Sequence, residues 1–179
     1  FAIPSNMVSA VIRGISDSGK LIRGWLGATG EPLTYDIARS LGFDRPRGIL
    51  ISSLYRFSSA AKAGLQIGDV VLEINGHQVL NPNELAYRIA TLPVKKPVKI
   101  KIFRKEVTFD IQFILNAAPE VPKRDTSLLS GKQPLSGVVV ENLSPYLAEN
   151  IDMDPFLEGV VITKVSPGST ANNLGFKYR

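Results

Sequence analysis

The feature that most constrains the fold is the stretch Ser58–Gly76, in which four structural signals follow in a fixed order. Ser58 or Ser59 can cap one helical turn of small residues, Ala60–Ala63, and the glycine after that turn suits the left-handed residue that ends a helix. A Gly-Asp pair then leads into Val70–Ile74, an apolar run short enough for a buried strand. The stretch ends in Asn-Gly, which predicts a tight hairpin because both residues tolerate positive φ. Each signal is common alone, but the order is restrictive.

Composition and charge are those of an ordinary globular protein. The 179 residues are 44% hydrophobic and 21% charged, and they include no cysteine, so disulfides are excluded. No apolar stretch approaches the roughly 20 residues of a membrane helix. The net charge is +5, with six basic residues between Lys95 and Lys105. Because lysines alternate with apolar residues over 98–102, this segment predicts a half-buried strand with a solvated face. We therefore expect no transmembrane segment and no nucleic-acid partner.

Other local signals place the remaining elements of the first half. Thr34 can cap a short helix, Arg47–Leu54 has the composition of a strand, and Asn81–Glu84 forms a capping box before a helix that Pro93 ends. The runs 98–103 and 107–115 predict a final hairpin. From Asn116 to Pro134, prolines and small residues alternate with charged residues, and this composition indicates a linker. The predicted divisions are residues 1–20, a first domain at 21–116, a linker at 117–134 and a second domain at 135–179.

The second domain is predicted from an internal repeat. Five residues between positions 27 and 44 recur 110 positions later, and five between 48 and 64 recur 111 positions later. The matched pairs include Gly27 with Gly137, Ala38 with Ala148, Ser58 with Ser169 and Gly64 with Gly175. This spacing indicates a duplicated domain rather than a solenoid. Nothing in the second copy corresponds to the residues after Gly68, so we expect only its leading half.

The ordered signals of Ser58–Gly76 resemble the centre of a PDZ domain of the kind found in bacterial HtrA proteases of the Do or DegP type. The resemblance implies an α+β fold. It consists of one complete bacterial-type PDZ domain, a small β-sandwich or partly open barrel with two helices, followed by an incomplete second one. Phe1–Ser5 is similar to the closing strand of the protease barrel in that family. Residues 1–20 would then be the end of a protease domain and a connector helix, although an ordinary amphipathic helix is the alternative.

The residues of a serine protease active site are absent from this sequence. Such catalysis needs a nucleophile, a base and an orienting acid. The single histidine, His77, follows the predicted hairpin turn, and the Gly-x-Ser-Gly-Gly segment of the family does not occur. Asp152 and Asp154 lack the glycine and glutamate that would complete a calcium loop. We therefore predict no catalytic residue, no metal site and no cofactor in this chain.

The resemblance also implies a site for a peptide. A PDZ domain accepts an extended peptide as an additional strand beside a helix, and backbone N–H groups hold the terminal carboxylate. The motif for that loop is matched by Trp25-Leu26-Gly27-Ala28, and strand 28–31 would pair with the guest until Pro32. The small side chains of Ala28 and Ala86 suggest a roomy pocket that suits a bulky apolar residue at the end of the peptide. The predicted peptide-binding residues are Arg23, Trp25, Leu26, Gly27, Ala28, Thr29, Asn83, Ala86 and Ile89.

The corresponding loop of the second copy, Leu135–Val138, has a polar residue at the pocket position and lacks its helix. We therefore expect no complete second site. For the first copy, the alternative is a tightly turned core strand with a buried tryptophan and a groove that serves only for packing.

By the resemblance, the parent protein is a periplasmic trypsin-like serine endopeptidase of protein quality control, and this chain is its regulatory, peptide-binding region. The expected partners are unfolded polypeptides or protein C-termini, the protein's own protease domain and neighbouring subunits. Two other functions stay open. One is a non-enzymatic scaffold or secretion component with tandem PDZ domains. The other is a processing enzyme of the Ser-Lys type in which the PDZ domain gates substrates.

Overall fold

The computed structural model describes residues 22–178, and a boundary between Ala118 and Pro119 divides the chain into two units. Both units combine antiparallel strands with short helices, so the predicted α+β class is confirmed. The predicted connector and protease remnant at residues 1–20 lie outside the described residues. Among the described residues, no helix has the length and apolar character needed to cross a membrane.

The described part of the first unit contains one six-stranded sheet and three helical segments. The strands are β1 (Ala28–Pro32), β2 (Ile49–Leu54), β3 (Val70–Ile74), β4 (His77–Gln78), β5 (Pro97–Arg104) and β6 (Val107–Ile114). The helices are α1 (Tyr35–Ser40), α2 (Ser59–Lys62) and α3 (Pro82–Thr91). The strand order is β1-β2-β3-β5-β6, and β4 pairs with β3 alone. All of these pairings are antiparallel.

The predicted caps and the predicted hairpin turn are present in the first unit. The helix caps are Thr34, Ser58 and Asn81, and each side-chain oxygen accepts a hydrogen bond from the backbone N–H three residues later. Asn75 and Gly76 have φ values of 48° and 79°, and they close the turn between β3 and β4. The order of signals in Ser58–Gly76 therefore corresponds to the order of elements in the fold.

The alternation predicted for 98–102 is confirmed in β5. Val98, Ile100 and Ile102 are at most 1% exposed and belong to the main hydrophobic core. The lysines between them form ion pairs on the other face: Lys99 with Asp110 at 2.8 Å and Lys101 with Glu73 at 2.7 Å. The basic segment is therefore a core strand whose charges have local partners.

The second unit contains a three-stranded sheet within its described residues. Its strands are β7 (Thr126–Leu128), β8 (Val138–Asn142) and β9 (Val160–Val165), and its helices are α4 (Pro145–Asn150) and α5 (Thr170–Asn173). The strand order is β7-β8-β9. Ser144 and Ser169 cap the two helices. A small core consists of Leu143, Leu147, Ala148 and Val161.

The two units repeat the same local structure. Strand β8 and helix α4 begin 110 positions after β1 and α1, which is the offset of the first five matched residues of the repeat. Strand β9 and helix α5 begin 111 positions after β2 and α2, which is the offset of the last five matched residues. The irregularity of the β1-β2 pairing between Thr29 and Gly30 recurs between Val139 and Val140. One element differs from the prediction: β7 lies inside the segment 117–134 that was expected to be a linker, and its pairing with β8 makes it part of the second sheet.

Candidate peptide-binding site

Strand β1 forms a border of the sheet in the first unit. Within the described residues it pairs on one side only, with β2. The carbonyl oxygen of Gly27 accepts a hydrogen bond from the N–H of Tyr55 at 2.8 Å. Because backbone groups alternate in direction along an antiparallel strand, the N–H and C=O of Ala28 point away from β2. Ala28 therefore presents one donor and one acceptor at the border, while Pro32 at the far end of β1 has no N–H to present.

The loop before β1 is the segment that was predicted to form an amide cradle. Gly27 has a φ of 69°, in the left-handed region. Among residues 22–178, the hydrogen bonds outside helices and strands include none donated by the N–H of Leu26 or Gly27. Together with the N–H of Ala28, these two groups form a run of three consecutive amides. Successive N–H groups of this kind can bind an anion.

The tight packing around Gly27 explains why a glycine is required. A Cβ added at Gly27 would collide with Cβ of Ser58 and would lie 2.7 Å from Cζ3 of Trp25. The Trp25 ring packs edge-on against Tyr55, with centroids 5.4 Å apart. The N–H of Trp25 also donates to the carbonyl of Asn116 at 2.8 Å. The loop is therefore braced from several sides.

Helix α3 lies against β1 and supplies the opposite wall of the candidate groove. Asn83 and Ala86 are exposed on this helix, whereas Ile89 is only 3% exposed and belongs to the main core. Ala28 and Leu26 pack in the same core cluster as Ile89. The structure thus brings Leu26, Ala28 and Ile89 together at the base of the groove. Ile89 is buried beneath the groove and does not line an open surface.

Three other predicted residues belong to the segment before β1 or to the start of β1. Arg23 and Thr29 are exposed, on either side of the loop, while Trp25 is only 9% exposed. Near Asn83, the Glu84 carboxylate accepts a hydrogen bond from the N–H of Leu80 at 3.0 Å. That bond, followed by the hydrogen bond from Arg88, lowers the pKa of Glu84. The first turn of α3 is therefore fixed by a carboxylate that stays ionised at neutral pH.

Two bracing residues, Tyr55 and Ser58, were not predicted to belong to the site. Tyr55 holds the carbonyl of Gly27, and Ser58 both caps α2 and fills the space beside Gly27. The internal repeat contains a signal for this contact, because Gly27 and Ser58 recur together as Gly137 and Ser169. The same collision would occur between a Cβ at Gly137 and Cβ of Ser169.

The second unit differs at the equivalent border. Strand β8 corresponds to β1, and β7 pairs with it on the side opposite β9. The N–H of Gly137 donates to the carbonyl of Leu129 at 2.8 Å, and the N–H of Leu129 donates to the carbonyl of Val138 at 2.8 Å. The border of the second unit is therefore already paired with the protein's own chain.

Other chemistry in the described residues is limited. His77 is exposed in β4. No group of three or more histidine, aspartate and glutamate side chains in residues 22–178 is placed to hold a metal ion. Arg104 and the buried Asp69 form an ion pair that joins β5 to the turn before β3.

Comparison with known proteins shows which proteins this chain resembles. The family model described as a PDZ domain matches residues 50–104. A probable periplasmic serine endoprotease, DegP-like, of Marinomonas sp. (strain MWYL1) is 34% identical over 173 residues, covering 97% of this chain and 36% of the relative. A protein of the same description from Rhizobium meliloti (strain 1021) is 31% identical over 177 residues, covering 99% of this chain and 35% of the relative.

A solved structure shows the same similarity. The HtrA-type protease AlgW, solved with a tripeptide, is 29% identical with a TM-score of 0.56, covering 69% of this chain and 41% of that chain. This chain spans about a third of the length of the two curated relatives, 36% and 35%. Residues 50–104 therefore match a PDZ domain, and nearly the whole chain is similar to a region of proteins described as DegP-like periplasmic serine endoproteases.

Proposed function

We propose that the first unit binds extended polypeptides by adding a guest strand to β1. One observation carries this proposal: within the described residues, Ala28 turns its N–H and C=O to an unpaired border, next to the cradle amides of Leu26 and Gly27. A guest strand would complete the ladder with its own backbone groups. Its terminal carboxylate would accept from the three consecutive amides, which are rigidly held by the packing around Gly27.

Side chains around this border would give the groove its preference. Arg23 is exposed beside the loop, where its cation favours an anionic terminus. Ala28 and Ala86 leave space between β1 and α3, so a large apolar terminal residue would fit there. Asn83, exposed in the first turn of α3, would contact the guest further from its end. Thr29 would lie along the ladder itself.

This proposal extends to the longer protein to which the chain is similar. The relatives are named periplasmic serine endoproteases, and AlgW was solved with a tripeptide. We propose that the parent of this chain is a periplasmic serine endopeptidase of protein quality control. In it, a domain at 21–116 would capture unfolded polypeptides or C-termini and present them to the protease domain, and it would contact neighbouring subunits. The segment 135–179 would be the leading half of a second PDZ domain.

The proposal can be tested with the single tryptophan of the chain, because Trp25 packs against Gly27. Pairs of peptides that differ only in a free or an amidated C-terminus are titrated while Trp25 emission is followed. We expect the free peptides to bind at least about tenfold more tightly, because hydrogen bonds to a charged group are stronger than those to a neutral one. Equal affinities within each pair would contradict the proposal.

A matched pair of variants separates the site from general charge. Arg23→Gln removes the cation beside the cradle and should reduce the preference for the free terminus. Arg39→Gln removes another exposed cation from α1, outside the groove, and should leave the preference unchanged. If both variants reduced the preference alike, the effect would be long-range attraction rather than recognition at the loop.

A further inference from the structure

Strand β7 occupies the border of the second unit that is equivalent to the open border of the first. Its residues Thr126, Ser127 and Leu128 lie opposite Glu141, Val140 and Val139 in an antiparallel register. The spacing of the repeat equates Val138 with Ala28 and Gly137 with Gly27. The segment Thr126–Leu129 therefore holds the position in which a guest would lie on β1.

The hydrogen bonds of Leu129 match those expected of the last residue of a guest. Its carbonyl oxygen accepts from the N–H of Gly137, as one oxygen of a terminal carboxylate would accept from Gly27. Its N–H donates to the carbonyl of Val138, the group that corresponds to the outward carbonyl of Ala28. The N–H of Val138 is used as well, because it donates to the carbonyl of Leu135 at 3.1 Å. All of these backbone groups are thus paired within the chain.

This segment is held mainly by its backbone. All three residues of β7 are exposed, and Leu128 is 63% exposed. The side-chain contacts are polar: Thr126 Oγ1 donates to Glu141 Oε1 at 3.2 Å, and Arg124 pairs with Glu141 at 3.6 Å. Segments with few buried apolar contacts open locally without unfolding of the whole domain. The segment can therefore leave β8 while β8 stays paired with β9.

We propose that Thr126–Leu129 masks a second polypeptide-binding border along β8, which takes an extended chain with an aliphatic terminal residue when the segment is displaced. The inference rests on the proposed function, since it takes strand addition to β1 as the model for β8. It implies that, in the resting state of the part of the chain that the structure describes, the border along β1 is open and the border along β8 is closed.

The test uses the full chain labelled with ¹⁵N and a synthetic pentapeptide, Asp-Thr-Ser-Leu-Leu, with a free C-terminus. This peptide has the sequence of residues 125–129. Leu129→Pro removes the N–H that bonds to Val138 and should release the segment. Leu128→Pro is the matched control, because the register turns the N–H of Leu128 away from β8.

In the Leu129→Pro chain, we expect the peptide to shift the amide signals of Gly137 and of 138–140. The apparent affinity at this border should be at least about tenfold higher than in the wild-type or Leu128→Pro chain, because it scales with the fraction of open borders. Equal affinity at these residues in all three chains would overturn the inference. An absence of shifts there in the Leu129→Pro chain, with shifts present at Gly27 and Ala28, would overturn it as well.

The signals of Gly27 and Ala28 report the first unit separately. If they failed to shift while the β8 signals did, the proposed function of the first unit would fail and the masked border would stand. If Leu129→Pro disrupted the β8-β9 pairing, amide hydrogen exchange of the wild-type chain, with and without the peptide, would test the inference instead. At saturating peptide, the Leu129 amide should exchange at least about tenfold faster, because the peptide displaces its segment, while the Gly137 amide stays protected. Unchanged exchange of Leu129 would contradict the inference.

Discussion

Gly27 approaches Ser58 so closely that a Cβ on the glycine would collide with Cβ of the serine, and Gly137 stands in the same relation to Ser169. Both glycines have positive φ, 69° and 89°, and both serines cap a short helix. In the first unit this contact joins the loop before β1 to the cap of α2, and in the second unit it joins the loop before β8 to the cap of α5. The internal repeat therefore preserves a tertiary contact in both units.

We predict that Gly27→Ala lowers the free energy of unfolding by about 2–4 kcal/mol, because it combines a positive φ with overpacking against Ser58. The control is Gly42→Ala, whose φ is also positive, 77°, but whose Cβ would meet nothing within 4 Å. It should cost only about 1 kcal/mol, from backbone strain alone. Urea denaturation of both variants measures the difference. Equal losses would show that Ser58 does not restrict this position.

A second prediction concerns Asp69, which is 1% exposed and bonds Arg104 in two places. Its Oδ2 also accepts from the N–H of Gln66 at 2.7 Å. Asp69→Ala should lower the free energy of unfolding by about 3 kcal/mol, since it leaves a partly buried cation and a backbone donor without their partner. Asp110→Ala, which removes the exposed partner of Lys99, should cost no more than about 0.5 kcal/mol. Similar losses in the two variants would contradict this explanation.

A third prediction concerns pH. The pKa of Glu84 is lowered in the folded chain, first by the hydrogen bond from the Leu80 N–H and then by Arg88. Between the lowered pKa and the ordinary value of 4.5, the unfolded chain binds more protons than the folded one, so stability increases with pH. The contribution is complete well above pH 4.5 and is lost as pH falls through the lowered pKa. Glu84→Gln should therefore be less stable than wild type at pH 7, and the difference in stability should narrow as pH falls below 4.5. Thermal unfolding from pH 3 to 7 tests this, and a gap independent of pH would refute it.

A fourth prediction follows from the size of the groove residues. Ala28 is half-buried against the core and Ala86 is exposed on α3. Peptides that end in Leu or Phe should bind at least about tenfold more tightly than the same peptides ending in Ala, because the larger terminus buries more apolar surface. Ala86→Phe should remove this preference by filling the space. Calorimetric titration gives both affinities, and equal affinity for the two termini in the wild-type chain would contradict a roomy pocket.

Local signals predicted most of the first unit, because its elements begin and end where residues with strong conformational preferences stand. Thr34, Ser58 and Asn81 cap helices, and Asn75 and Gly76 close a hairpin. The apolar alternation of 98–102 predicted which face of β5 is buried. These properties depend on a few adjacent residues and require no knowledge of tertiary contacts.

Features that depend on distant partners were not predicted. Strand β7 is three exposed residues without apolar alternation, and its structure comes from pairing with β8. Asp69 and Arg104 are 35 residues apart in the chain, so their pairing is not visible in either local segment. The turn between β5 and β6 uses Lys105 and Glu106 at φ values of 47° and 65°, although neither residue favours positive φ.

The candidate site was predicted in part. The loop Trp25–Ala28, its glycine and the neighbouring helix lie together, but no local signal indicated that Tyr55 braces Gly27. The spacing of the repeat identified Gly27 and Gly137 as equivalent. It could not distinguish their borders, because the difference arises from a segment outside the repeated residues.

The most direct test of strand addition to β1 is an NMR titration of the ¹⁵N-labelled chain with an unlabelled peptide that ends in a free leucine. We predict large downfield shifts of the Leu26, Gly27 and Ala28 amides, together with contacts between the guest backbone and β1, and neither effect with the amidated peptide. Shifts confined to residues outside 26–32 and α3, or identical shifts with both peptides, would contradict strand addition at this border.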